Sequence, residues 1–85
     1  MKRIRRKIYE VAEARRPEGF TGADVIVETC ALSGTLYPEL WKMESEGLLN
    51  SDWGEPKKEG GPRPRVYWMT AVGLSEYRAV QEPTQ

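Results

Sequence analysis

Residues 33–49 read SGTLYPELWKMESEGLL, and the fold turns on how this stretch is understood. Leu36, Leu40 and Met43 recur at intervals of four and three, which puts them on one stripe of an α-helix. Ser33 suits an N-cap, because its hydroxyl accepts from a free amide of the first turn. Gly47 suits the C′ position, where a left-handed residue stops the helix. Pro38 falls within the first two turns, where a missing amide hydrogen costs less than in the interior. The stretch reads as a helix over 33–46, with Tyr37 or Trp41 joining the buried stripe at its flank.

Upstream, Thr21 with Asp24 three residues on makes a capping-box-like pair, and Phe20 with Val25 makes a hydrophobic staple. The β-branched run Val25-Ile26-Val27 also suits a strand, but the cap decides for a helix over 21–30. Ala31 and Leu32 leave a short turn before the next helix, so the pair reads as a helix-turn-helix. Earlier still, Ile4, Ile8, Val11 and Ala12 form one helical stripe, giving a first helix over 1–16. Arg15 and Arg16 suit its last turn electrostatically, and Pro17 closes it.

Downstream, Leu48 to Trp53 and Arg65 to Met69 read as two strands rich in aromatic and β-branched types. Between them, residues 54–64 hold three glycines, three prolines and several charges, the composition of an exposed hairpin loop. Thr70 caps a fourth helix over 71–80 through Leu74, Tyr77 and Val80, and residues 81–85 read as a frayed tail. The predicted architecture is α+β in the order ααα-ββ-α, with a hairpin over 48–70.

Composition narrows the chemistry. Eighty-five residues make one small domain, and 39% hydrophobic content is enough for a core. No histidine is present and Cys30 is the single cysteine, which removes histidine bases, His-assisted nucleophiles, disulfides and His- or Cys-built metal sites. No phosphate-cradling glycine motif occurs, so no nucleotide cofactor is expected. No apolar run approaches a membrane span, and the expectation is a cytoplasmic protein that is not an enzyme. The three tryptophans read as core packing rather than as a ligand pocket.

A net charge of zero conceals segregation. Residues 1–16 carry +5, residues 17–54 carry −6, residues 55–65 carry +2 and the remainder −1. A polyanion would therefore meet two basic segments rather than a basic protein. The first is also what a solvated helix face looks like, and the second what keeps a loop soluble.

Residues 33–49 resemble the PadR-type winged-helix regulators, whose pattern is close to S-x-G-T-L-Y-P-x-L-x-x-L-E-x-x-G-L. Residues 63–74, RPRVYWMTAVGL, are similar to that family's second wing strand and following helix, where Y-x-L-T-x-x-G is usual. Met43 stands where leucine is usual, and Glu44-Ser45-Glu46 makes the helix end acidic. The resemblance implies a winged helix-turn-helix and a transcription regulator that binds double-stranded DNA in a sequence-selective manner. Family members typically carry a further C-terminal helix that builds a dimer. This chain stops after its fourth helix, so a monomer or weak homodimer is expected, using helix one and residues 71–80.

In such a fold the third helix lies in the major groove with its N-terminal residues nearest the bases. Ser33, Gly34 and Thr35 then offer backbone amides to a phosphate, Thr35 and Lys42 are candidate base readers, and the Tyr37 hydroxyl is available to the DNA backbone. Lys57, Lys58, Arg63 and Arg65 of the wing, with Lys2, Arg3 and Arg6 of a first helix that also carries Arg5 and Lys7, are candidate phosphate contacts. Tyr37 also suits partial core packing, Lys42 a pair with Glu46 or Glu39, and Trp41 a core or interface position. The alternative function is a winged-helix protein-interaction module without DNA binding, which the acidic third helix favours.

Overall fold

A computed structural model describes residues 1–56 and 58–81. Six elements follow in the expected order: α1 (Arg3–Ala14), α2 (Gly22–Thr29), α3 (Ser33–Ser45), β1 (Leu49–Trp53), β2 (Arg65–Met69) and α4 (Ala71–Gln81). Lys57 and the expected frayed tail from 82 lie outside the described residues.

α1 buries Ile8, Tyr9, Val11 and Ala12, with Ile4 packed against them. The helix ends at Ala14, one residue before the two arginines assigned to its last turn. Arg15 instead reaches across to Glu28 and Asp24 of α2, so a cross-element ion pair takes the place of a dipole contact. α2 is a helix because its start is sealed in both directions. Thr21 Oγ1 accepts from the Asp24 amide at 3.1 Å, and the Thr21 amide donates to Asp24 Oδ2 at 2.9 Å. Its C-cap, Cys30, takes φ 59°, a left-handed conformation more usual for glycine at this turn.

That left-handed step sets the phase of α3. The N-cap is Leu32, whose carbonyl accepts from the Thr35 and Leu36 amides at 3.0 and 2.9 Å, and Ser33 is the first helical residue rather than the cap. Leu36, Leu40 and Met43 are fully buried, as their spacing predicts. Tyr37 and Trp41 do not join them but stand exposed, and the fourth buried residue is Glu39. The physical reason lies in the neighbours: Lys2 and Arg5 at the start of α1 bring cations to the Glu39 side of α3, whereas Tyr37 lies half exposed against α2 and Trp41 is left in solvent.

Gly47 turns left-handed at φ 80°, and β1 pairs antiparallel with β2 in the register Leu49↔Met69 through Trp53↔Arg65. Phe20 adds a one-residue bridge on the other edge of β2, exchanging hydrogen bonds of 3.0 and 2.7 Å with Tyr67. Thr70 Oγ1 accepts from the Gly73 amide at 3.0 Å and donates to the Gly47 carbonyl at 2.7 Å, which caps α4 and ties it to the end of α3. A Cβ at Gly73 would lie 2.2 Å from the Leu48 carbonyl oxygen, so α4 meets the chain just before β1 closely enough to require glycine. Of the three tryptophans only Trp68 is partly covered, against Gly19, while Trp41 and Trp53 are exposed. The core is built from aliphatics, Phe20, Tyr9 and Tyr67 instead.

Candidate nucleic-acid interface

The helical repeat divides α3 into an inner face, an outer face and two flanks. The inner face is Leu36, Leu40 and Met43. The outer face, at the same spacing on the opposite side, is Gly34, Pro38, Trp41 and Ser45, all exposed. Between them lie two flanks, each carrying acid.

On one flank, Arg5 of α1 gathers three carboxylates. Its Nε donates to Glu39 Oε2 at 2.7 Å, Nη2 to Glu46 Oε1 at 3.1 Å and Nη1 to Glu76 Oε1 of α4 at 3.4 Å. Glu39 is only 5% exposed and also faces Lys2 Nζ at 3.7 Å. The Tyr9 hydroxyl donates to Glu76 Oε1 at 2.7 Å. Burial, and then the hydrogen bond to the Glu76 carboxylate, push the Tyr9 phenol above its ordinary range. Burial pulls the Arg5 guanidinium down, but the Glu39 hydrogen bond and the three carboxylate charges outweigh it and hold Arg5 more firmly protonated than usual.

On the other flank, Glu44 accepts from Ser51 Oγ at 2.6 Å and pairs with Arg65 at 3.5 Å. Arg65 lies over the Trp53 ring, 5.1 Å from its centroid. Tyr37 sits between α2 and the wing, in a shallow hollow with Thr21, Gly22, Pro64, Arg65 and Tyr67. A Cβ at Gly22 would lie 2.6 Å from the Tyr37 ring, so glycine there is what lets the ring lie against α2.

The predicted site residues thus separate. Ser33, Gly34 and Thr35 are exposed at the start of α3, and Thr35 shares a hollow with Arg3 and Lys7 of α1. Lys42 is exposed on the Arg5 flank, near Met1 and Lys2. Arg6 is exposed on α1 but lines neither hollow, and Lys2 faces Glu39. In the wing, Lys58 is exposed, whereas Arg63 donates to the carbonyls of Gly54 and Trp53 at 2.9 and 3.2 Å and closes the loop base. Together with the 2.7 Å bond from the Gly54 amide to the Pro64 carbonyl, this staples the hairpin loop that composition alone reads as unpacked. Sequence reasoning placed Arg5 only in a general basic cluster. The signal it lacked is that each partner is far along the chain.

No helix among the described residues is long and apolar enough to cross a membrane. Comparison with curated proteins gives no match. Among solved structures, a PadR family transcription regulator from Clostridium difficile R20291 aligns with TM-score 0.80 at 22% identity, covering 94% of this chain and 84% of that one. Bacillus subtilis PadR in complex with operator DNA aligns with TM-score 0.80 at 20% identity over 100% of this chain and 50% of that one, so this chain spans half its length. A PadR family regulator from Eggerthella lenta DSM 2243 aligns with TM-score 0.67 at 28% identity, covering 92% and 72%. These likenesses agree with a winged helix-turn-helix built from α1 to α4 and the β1–β2 hairpin. The family model described as the transcriptional regulator PadR-like family matches residues 26–79, which hold α3, the wing and most of α4, and on that match this chain belongs to the PadR-like family of transcriptional regulators.

Proposed function

We propose that this protein regulates transcription by binding duplex DNA in a sequence-selective manner, with α3 in the major groove and the wing and α1 on flanking phosphates. The observation that carries the reading is the pairing of the acids of α3. Glu39, Glu44 and Glu46 each meet a cation from α1 or β2, on the flanks of the helix. The outer face is therefore clear of unpaired carboxylates, and the negative charge that favours a pure interaction module in the sequence is answered internally. Arg3 and Lys42 carry exposed positive charge beside α3, Lys58 on the wing and Arg6 elsewhere on α1.

In this reading Thr35 and Lys42 contact base edges, Ser33 and Gly34 present amides to a phosphate, and Tyr37 reaches the sugar–phosphate chain beside the wing. Lys57 and Lys58 follow phosphates from the wing, as do Lys2, Arg3 and Arg6 from α1. There Arg63 acts mainly by closing the base of the wing loop, and Arg65 by holding the wing against α3. The protein works in the cytoplasm as a monomer or weak homodimer and needs no cofactor. Light scattering at low micromolar concentration tests the assembly. Selection from a random duplex pool at low ionic strength tests the function, and the reading expects one enriched sequence. Retention of no duplex above background would leave the interaction-module reading in its place.

A further inference from the structure

The outer face of α3 has a composition that the fold itself does not require. Trp41 is 72% exposed, although an indole is among the costliest side chains to leave in water. Its neighbours on that face are small or rigid: Gly34 and Pro38 before it, Ser45 after it. Gly34 has no internal reason to be glycine. A Cβ there would meet nothing within 4 Å, and its backbone is not left-handed. Glycine nonetheless weakens a helix relative to alanine. A bare backbone followed, about 10 Å further along the helix, by a bare indole is a surface shaped for something outside the chain.

The electrostatics select what that is. Arg3 and Lys7 border the hollow at the start of α3, and Lys42 stands beside Trp41. The acids of α3 are drawn to the flanks, where cations meet them. An apolar centre with a cationic rim complements a polyanion that displays apolar groups between its charged edges. In the major groove of DNA the one such group is the 5-methyl of thymine.

The geometry points to Trp41 as a specificity-determining residue that packs its indole on thymine methyl groups, with Gly34 allowing the close approach. This rests on the duplex-binding reading above and deepens it, adding a preference for thymine at the positions under the centre of α3.

The test uses the full chain and the duplex enriched from a random pool. Each thymine in turn is replaced by uracil, which deletes only the methyl group. Burying one methyl predicts about a four-fold loss of affinity at one or two central positions, with the other positions unaffected. Trp41→Ala, at an exposed position and with an unchanged unfolding midpoint, should bind the same duplex more weakly and become indifferent to the exchange. Trp41→Phe should keep part of the preference. Uracil tolerated at every position, a selected site with no thymine at its centre, or discrimination that survives Trp41→Ala would each overturn the assignment while leaving duplex binding intact. A chain that retains no duplex at all overturns the DNA reading, and this inference with it.

Discussion

Arg5 and Arg65 both reach carboxylates on α3, from opposite flanks, and their surroundings make them different interactions. Arg5 is 13% exposed and meets Glu39, Glu46 and Glu76, of which Glu39 is buried. Arg65 is 41% exposed, meets Glu44 alone among carboxylates in the described residues and rests on an exposed Trp53. A buried charge that loses its partner is stranded in a poor solvent, while an exposed one is taken up by water. α3 is therefore fixed electrostatically on the α1–α4 side and held on the wing side mainly by its packed residues. The wing remains the more adjustable partner of the recognition surface.

The largest expected effect is at Arg5. Arg5→Ala should cost about 3–5 kcal/mol, because it leaves Glu39 buried without its main partner, and that is a large part of the stability of a small domain. Replacing Arg5 and Glu39 together with methionine and leucine should recover most of that loss, as apolar isosteres of a buried pair often do. Urea unfolding midpoints decide both, and a small loss in Arg5→Ala would show that water reaches the cluster.

Tyr9→Phe removes one hydrogen bond to Glu76 and should cost about 1–2 kcal/mol. It also has a pH signature. The folded state holds the Tyr9 phenol above its ordinary value, so the stability linked to its proton is intact below a pH of about 10 and is lost as pH climbs through the raised folded value. Tyr67, raised first by burial, adds to the same alkaline loss. The unfolding midpoint should therefore fall above that range in the native chain and fall less in Tyr9→Phe. Equal alkaline losses in the two would remove Tyr9 from the account.

On the wing side, Arg65→Ala should cost about 1 kcal/mol or less, the sum of an exposed ion pair and an exposed cation–π contact. A loss matching that of Arg5→Ala would erase the contrast between the two flanks. Lys58→Ala and Arg3→Ala should leave stability unchanged within about 0.5 kcal/mol. Each should flatten the salt dependence of duplex binding by about one log–log unit.

What the sequence disclosed follows from range. The Thr21–Asp24 box spans three residues and the Leu36–Leu40–Met43 stripe spans seven, so both are written locally and both stand in the structure. Arg5 finds its partners 34, 41 and 71 residues away, and no periodicity within a run of five cations distinguishes it from Arg3. The cap at Leu32 rather than Ser33 depends on the left-handed turn at Cys30, which a non-glycine residue does not announce. Trp41 is an aromatic residue in a helix with a buried stripe, and only its exposure in the folded chain shows it to be outward. Arg63 reads as a free wing cation until the closed loop base supplies two carbonyls for it. The candidate surface was thus legible as a helix and a wing. Which of its charges face outward was not.

The most direct test of the DNA-binding claim is the affinity of the full chain for duplex DNA measured across salt concentration. With Arg3, Arg6, Lys42 and Lys58 uncommitted and Arg5 withdrawn, a log–log slope of about −3 to −5 is expected, near −0.9 for each phosphate neutralised. A slope near zero, or no duplex binding at low ionic strength, would contradict it.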